Sequence, residues 1–190
     1  MEQQVRGSMA VGSEDGTYVI RLLGDIRLNL SIPFNRFCDQ MLAAEDFFAV
    51  AIDLRDATSI DSTALGSLAK LSIAVRSKTG HVPLLLCPSQ NMLRILDSMG
   101  FDDVFDIVRN EDAMGHSTNL PTAEITQVGK AEKSKLRQQV IDAHQTLMSL
   151  NARNESTFKD LVEALEAEAA AEASNTDDKN ALDQQSARSG

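Results

Sequence analysis

The chain has 190 residues, is 43% hydrophobic and carries a formal net charge of -10. This charge argues against binding to nucleic acid or to an anionic membrane, because both need a basic protein surface. No apolar run approaches the roughly 20 residues that span a bilayer, and the first ten residues lack the apolar segment of a secretory signal. We therefore expect a cytoplasmic protein with neither nucleic acid nor membrane among its partners.

Strands and helices alternate in the first part of the chain. We set residues 1–10 aside as a disordered N-terminus or as residues that are not native to the chain. Beyond them, the hydrophobic pattern predicts strands at 18–23, 48–54, 82–87 and 105–108, and helices that start at Ser31, Ala64 and Gln90. This alternation indicates an α/β domain over residues 11–115, a small sheet with helices packed on it.

The composition changes after residue 115. Residues 116–129 are polar, contain Pro121, and are predicted to be a linker. Residues 130–172 contain no Gly or Pro and are predicted to be a helical or coiled-coil extension, whereas residues 173–190 are predicted to be a disordered tail. The apolar seam of the extension consists of Leu136, Val140, Ala143, Leu147 and Leu150, and continues in the same phase with Leu161 and Leu165.

Such a seam fits a helix that packs on its own domain as well as a coiled coil or a partner-binding helix. The order of charges adds a constraint, since the extension begins with basic residues and ends with acidic ones, against the helix dipole at both ends. The basic residues are Lys130, Lys133, Lys135 and Arg137, and the acidic ones are Glu163, Glu166, Glu168 and Glu172. An antiparallel arrangement would bring the two groups together, either in a hairpin that turns near residues 151–155 or in an antiparallel dimer.

Cysteine and histidine give no sign of a metal site. Cys38 and Cys87 each lie among apolar neighbours, which favours buried, reduced thiols and leaves a regulatory disulfide as the alternative. His81, His116 and His144 show no ligand spacing, and we predict no metal ion and no cofactor.

The segment "SIDSTALGS", residues 59–67, lies where a predicted strand gives way to a helix. Asp61 or Ser62 can cap that helix, and a phosphate on Ser62 would be stabilised by the free backbone N–H groups of the helix start. The simplest interpretation is a cap alone. A nucleophilic enzyme is disfavoured because no histidine base is evident in the sequence and neither a G-x-S-x-G elbow nor a phosphate-cradling loop is present. Asp53, Asp56 and Asp61 leave open a divalent cation, although turns use the same residues.

The sequence "IDSTALG" (60–66) resembles the D-S-[ST]-G-L-G signature of STAS domains, the family of bacterial anti-sigma factor antagonists. The segments "RLLGDI" (21–26), "AVAIDLRDATSID" (49–61) and "LLLCPSQNMLRILDSMGFDDVFDI" (84–107) are similar to other parts of that family. The chain departs from the pattern in three respects: Ala64 replaces the usual glycine, the last helix of the domain is cut short at Gly115, and the long helical extension is additional.

The resemblance implies a non-enzymatic phosphorylation switch. Ser62 would be the phosphoacceptor, Asp61 would orient the site, Thr63 would be a secondary hydroxyl, and Gly66 would shape the helix start. The implied partners are an anti-sigma factor, an anti-sigma-type serine kinase and a PP2C-type phosphatase, with control of motility or biofilm as a possible output in relatives with a helical tail. The extension would complete the fold, self-associate or bind a second partner. The alternative is a constitutive STAS interaction module, such as a transporter subunit, that phosphorylation does not control.

Overall fold

The computed structural model describes residues 7–109, 123–125 and 133–187, with the side chains of 7–109 and 134–172. The elements are, in chain order, β1 (Ser8–Glu14), β2 (Thr17–Ile26), α1 (Leu28–Ala43), β3 (Ala49–Asp53), β4 (Ala57–Ile60), α2 (Ser62–Thr79), β5 (Leu84–Leu86), α3 (Gln90–Ser98), a short 3-10 helix (Phe101–Asp103), β6 (Asp106–Val108), β7 (Ala123–Ile125), α4 (Lys133–Met148) and α5 (Ala152–Ala187). Among the described helices, none is both long and apolar enough to cross a membrane.

The strands form one mixed sheet in the order β6-β5-β3-β2-β1-β7, and β4 pairs with the end of β2. Strands β6, β5, β3 and β2 run parallel to one another, and β4 runs parallel to β2. Strand β1 is antiparallel to β2, and β7 is antiparallel to β1. Because parallel strands end at the same edge of a sheet, the carboxyl ends of β2 and β4 lie together, and α2 begins there. This α/β architecture confirms the predicted fold class.

The first strand was not predicted. β1 begins at Ser8, inside the range that was set aside as disordered, and Met9 is fully buried. Asp15 and Gly16 adopt φ values of 47° and 75° and join β1 to β2 as a tight hairpin. An Asp-Gly pair between two apolar segments is a strong hairpin signal, so the sequence did contain the information.

Helix α1 begins at Leu28, three residues before the predicted cap Ser31. The backbone N–H of Leu28 donates to the carboxylate of Asp61 at 2.9 Å, which stabilises the earlier start. Ser31 is therefore buried inside the helix, and its hydroxyl has no hydrogen-bond partner among the described residues. The other helix ends follow the sequence more closely, because Ser89 caps α3 and Gly80, with φ of 78°, ends α2.

Helices α4 and α5 form an antiparallel hairpin, which confirms one of the alternatives that the charge order suggested. Arg137 near the start of α4 donates to both oxygens of Glu172, at 2.7 and 2.8 Å, and to Glu168 at 3.1 Å. The chain turns at residues 149–151, and α4 packs against α2 and α1 of the α/β domain. The basic segment thus lies against the acidic segment of the same chain.

The apolar seam was predicted correctly only in part of α4 and not in α5. In α4, Leu136 and Val140 are half-buried, and Ile141, which is buried, was not predicted. Ala143 and Leu147 are buried, whereas Leu161 is 42% exposed. Among the α5 side chains that the structure describes, up to residue 172, the buried ones are those of Asn154, Phe158 and Val162. The turn between the helices is the reason, since it restarts the helical phase. The predicted single phase through both helices was wrong.

Two other boundaries differ from the prediction. Within the predicted linker, residues 123–125 form β7 and pair with β1, and the rest of residues 116–129, like Gly115, lies outside the described residues. Helix α5 continues to Ala187, into the range that was predicted to be disordered. Residues 173–187 contain neither Gly nor Pro, so nothing in their sequence stops a helix that has already begun.

Candidate functional site

Asp61 fixes the starts of two helices at the carboxyl edge of the sheet. One of its carboxylate oxygens, Oδ1, accepts a hydrogen bond from the N–H of Ala64 at 2.8 Å and caps α2. The other, Oδ2, accepts from the N–H of Leu28 at the start of α1 at 2.9 Å. The backbone N–H of Asp61 donates to the carbonyl of Ile26 at 3.0 Å, which ties the loop to β2. Asp61 is therefore the cap, and the hydroxyl of Ser62 is not needed for capping.

The hydroxyl of Ser62 is instead paired with a histidine from the helical hairpin. Ser62 is the first residue of α2 and is half-buried, and its Oγ lies 2.9 Å from Nε2 of His144. The Nδ1 of His144 lies 2.7 Å from the carbonyl oxygen of Val140, which can only accept. Nδ1 therefore carries a proton, and in this tautomer Nε2 accepts a hydrogen bond from the Ser62 hydroxyl.

His144 is held firmly in this position. Its ring is only 2% exposed and makes an edge-to-face contact with Phe158 of α5, at 4.9 Å between ring centroids. The Val140 carbonyl fixes the tautomer and Phe158 supports the ring from behind. The pairing with Ser62 thus depends on both helices of the hairpin.

Gly66 lies one turn after Ser62, where α2 and α4 cross. A Cβ atom at this position would lie 2.6 Å from the backbone C and Cα of Ala143 and would also overlap its carbonyl oxygen. Only glycine permits this approach of the two backbones. Gly66 therefore permits the contact between α2 and α4, in addition to its predicted role at the helix start.

Thr63, which was predicted to be a secondary hydroxyl of the site, is buried, with 5% of its surface exposed.

The rim of the site carries a second polar group. The guanidinium of Arg27 lies 2.7 Å from Asp25, and the hydroxyl of Ser59 also donates to that carboxylate. These hydrogen bonds, first that of Arg27 and then that of Ser59, hold the pKa of Asp25 below its ordinary value. The rim is thus ionised over the physiological pH range.

The three aspartates that could have held a cation are engaged by arginines or by helix starts, and Asp53 and Asp56 both lie near Arg21. Asp53 is 2% exposed and pairs with Arg55 at 2.8 Å and with Arg21 at 3.1 Å. Burial opposes its ionisation, but the hydrogen bonds from Arg55 and Arg21 outweigh this and keep the pKa of Asp53 below its ordinary value. Asp61 is occupied by the two helix starts, so the three carboxylates do not converge on one point.

The two cysteines belong to the core. Cys38 and Cys87 are 4% and 0% exposed and are free thiols. Burial is the main cause that raises the pKa of each above its ordinary value, so both are protonated and unreactive at neutral pH. This agrees with the prediction of buried, reduced thiols.

Sequence reasoning missed His144, and its statement that no base was evident for Ser62 needs correction. The two residues are 82 positions apart, and a spacing of this kind carries no local signal. One hint was available, because His144 follows Ala143 in the apolar seam, and a polar residue at such a position needs a partner.

A serine hydroxyl donating to a histidine is the starting arrangement of nucleophilic catalysis. Here the ring of His144 is 2% exposed, which leaves little access for a substrate. The backbone contact at Gly66 and Ala143 leaves no space for an acyl group between the helices. The geometry suits a covered hydroxyl better than an open active site.

Comparison with known proteins gives the family. A family model for the STAS domain matches residues 8–114, more than half of the chain, and the chain therefore belongs to the STAS domain family. No curated protein sequence matched the chain significantly.

Several solved structures are similar at low sequence identity. The phosphorylated form of SpoIIAA, a cell fate determinant of Bacillus, is 16% identical over 55% of this chain and 95% of its own, with a TM-score of 0.46. The unphosphorylated form of the anti-sigma factor antagonist SpoIIAA is 15% identical over 55% and 91%, with a TM-score of 0.48. An anti-sigma factor antagonist from Mycobacterium paratuberculosis is 19% identical over 60% and 94%, with a TM-score of 0.47. The family assignment rests on the family model.

Proposed function

We propose that this protein is an anti-sigma factor antagonist that acts in the cytoplasm as a phosphorylation-controlled switch and has no enzymatic activity of its own. Its unphosphorylated form binds an anti-sigma factor. An anti-sigma-type serine kinase phosphorylates Ser62 and so changes the partner, and a PP2C-type phosphatase reverses the reaction. Self-association or a second partner at residues 130–172 is a further part of the prediction.

One observation carries this proposal. Asp61 alone makes the cap of α2, so the hydroxyl of Ser62 lies at a helix N-terminus without a capping role. A phosphate at this position is favoured by the helix dipole and adds about -1.5 to -2 units of charge. A difference of about 3 kcal/mol in binding free energy changes an affinity by more than a hundredfold, which is sufficient for a switch.

A second candidate function is a constitutive STAS interaction module. The observation that favours it is the cover over Ser62, because a hydroxyl that is half-buried and bonded to His144 is not freely offered to a kinase. In that case the face around Ser62 serves only to hold the hairpin, and partners bind elsewhere irrespective of phosphorylation.

Co-purification from the native host separates the two. Wild type, Ser62→Ala and Ser62→Asp are each expressed at native level, and their partners and intact masses are measured. Ser77→Ala is the matched control, since Ser77 is an exposed serine of the same helix. The switch predicts that Ser62→Ala retains an anti-sigma factor which Ser62→Asp loses. It also predicts that a phosphate found on the wild type is absent from both Ser62 variants and present on Ser77→Ala.

The result against the switch is equally plain. If all four proteins bring down the same partners in equal amounts and the wild type carries no added phosphate, Ser62 has only a structural role. The constitutive module is then the better interpretation.

A further inference from the structure

The Ser62 face of α2 already has an occupant in this chain. We define this face by Ser62, Gly66 and Lys70, which lie on successive turns of α2. Each contacts one residue of α4: Ser62 bonds to His144 at 2.9 Å, Gly66 lies against the backbone of Ala143, and Lys70 pairs with Asp142 at 4.0 Å. This face therefore accepts a helix that has a small residue where its backbone meets Gly66.

A phosphate on Ser62 does not fit under the docked α4. It adds a phosphorus atom and three oxygens to a hydroxyl that already lies at hydrogen-bond distance from Nε2 of His144. One turn further on, even a single Cβ at Gly66 would overlap Ala143, so the two helices have no slack to take up the added volume.

Burial also makes a phosphate on Ser62 electrostatically unfavourable while α4 is docked. His144 is 2% exposed, and the neighbouring carboxylate of Asp61 already accepts hydrogen bonds from the starts of two helices. A phosphate dianion between His144 and Asp61 would lose much of its hydration, and the contacts that Ser62 makes in the unmodified chain would not supply a cation to pair with it. Separation of α4 from α2 returns the phosphate to water.

The two helices of the hairpin are joined by polar contacts of their own. Contacts between α4 and α5 are numerous and internal, including Arg137 with Glu172 and Gln145 with Glu166 at 2.7 Å. The polar contacts between α4 and the Ser62 face are fewer, and the ion pair of Lys70 with Asp142 is exposed, at 53% and 38% of the two side chains. Loss of the Ser62–His144 bond therefore removes a central contact to α2 while the hairpin keeps its own.

We infer that the Ser62 face of α2 is a helix-docking surface with α4 as its resident occupant, and that phosphorylation of Ser62 vacates it. The inference rests on the proposed phosphorylation of Ser62 and adds the regulation: unmodified chain is closed by its own hairpin, and phosphorylated chain exposes both the face and the apolar side of α4. An external partner of the closed form has to compete with α4, and one of the open form does not.

The test uses full-length protein in which phosphoserine is incorporated at position 62 during translation, so no kinase has to be known. The matched control carries phosphoserine at position 77, which is exposed on the same helix. Backbone hydrogen exchange is followed by mass spectrometry in residues 136–148 of α4 and in residues 49–53 of β3. We expect exchange in α4 to be about tenfold faster or more with phosphoserine at 62, with β3 unchanged and no effect at 77.

A second variant makes the same change without a phosphate. Gly66→Val adds a side chain where α2 and α4 touch, and we expect it to reproduce the faster exchange of α4 with an intact sheet. Unchanged or slower exchange of α4 with phosphoserine at 62 would mean that His144 accepts the phosphate, and the inference would be wrong. It would be wrong as well if β3 lost protection together with α4 in either protein, because the hairpin would then be inseparable from the core.

The two proposals fail in different experiments. If no phosphate is found on Ser62 in the native host while installed phosphoserine releases α4, the proposed function fails and the docking surface stands. If partners switch with phosphorylation in the host while α4 keeps its protection, the proposed function stands and the inference about α4 falls.

Discussion

At the scale of single residues, the site depends on one carboxylate that does two structural tasks. Asp61 accepts one hydrogen bond from the start of α2 and one from the start of α1, and so fixes the angle between the two helices beside Ser62. Hydrogen bonds to an ionised carboxylate are stronger than those between neutral groups. The residue before the proposed phosphoacceptor is thus as important for the fold as for any chemistry.

Replacement of Asp61 is expected to destabilise the protein. Asp61→Ala leaves the N–H groups of Ala64 and Leu28 without their partners, and we expect the free energy of unfolding to fall by about 2 kcal/mol. The measurement is urea denaturation followed by circular dichroism. Asp56→Ala, which removes an exposed aspartate of the turn before β4, is the control, and an equal loss in both variants would contradict the double capping role.

Asp53 is expected to make the protein sensitive to acid. Its pKa is lower in the folded chain than its ordinary value, so the unfolded chain binds more protons as the pH falls. The stabilisation is complete above the ordinary pKa of about 3.9 and is lost as the pH falls below it, through the folded pKa. We expect Asp53→Asn to be less stable at pH 7 by about 1–3 kcal/mol and to lose less stability on acidification.

Denaturation curves measured from neutral pH down to about pH 3 test this expectation. The exposed Asp56→Asn is the control and should keep the acid dependence of the wild type. If Asp53→Asn and wild type lose stability in parallel as the pH falls, the ion pairs of Asp53 are not the source of the acid sensitivity.

At the scale of elements, the hairpin is closed by complementary charge at its open end and by apolar packing along its length. Arg137 is largely buried, with 8% of its side chain exposed, while Glu168 and Glu172 are about half exposed. Asn154 at the other end is 1% exposed and donates to the carbonyls of Leu147 and Met99 at 2.9 Å each. These contacts fix which residues of α4 face the domain, and so they place His144 over Ser62.

The pair of Arg137 and Glu172 is expected to show a measurable coupling. In a double-mutant cycle with Arg137→Ala and Glu172→Ala, we expect a coupling energy of about 1 kcal/mol, because the pair is bidentate but partly solvated. The coupling should decrease in about 0.5 M salt, which screens exposed charges. Thermal or urea unfolding of the four proteins gives the coupling energy. A coupling energy near zero at low salt would show that the pair of Arg137 and Glu172 does not stabilise the hairpin.

At the scale of the whole molecule, the hairpin forms a second layer over the helices that cover the sheet. Leu147 of α4 and Phe158 of α5 join the same apolar core as the central strands, which stabilises the closed arrangement. The contacts described for the Ser62 face of α2, however, are those of small residues and polar pairs. We therefore regard the sheet with α1 and α2 as the stable body and the hairpin as the part that opens first.

Hydrogen exchange in the unmodified protein tests this order of stability. We expect amides of α4 to exchange through an opening whose free energy is at least about 2 kcal/mol below that of β3. The measurement follows residues 136–148 and 49–53 across low denaturant concentrations, with α2 residues 67–75 as an internal reference that should follow β3. Equal opening free energies for α4 and β3 would show a single cooperative unit.

The α/β class, most of the strands and helices, the glycine that ends α2 and the hairpin alternative for the extension could all be predicted from the sequence. These features depend on local periodicity, on turn residues and on the order of charges, all of which can be read within a window of a few turns. The hairpin of β1 and β2, which was not predicted, belongs to this group too, because the Asp15-Gly16 pair is typical of a tight hairpin turn.

Only the tertiary structure decided what covers Ser62. Asp61 reaches Leu28 across 33 positions, and Ser62 reaches His144 across 82, so neither contact leaves a local pattern. The phase of α5 was likewise set by the turn at residues 149–151 and by packing against α4, and not by the seam that preceded it. Contacts between distant segments depend on how the elements pack. Residues such as Gly66 and His144 indicate that a close contact or a polar partner is needed, but a single sequence does not identify which residue provides it.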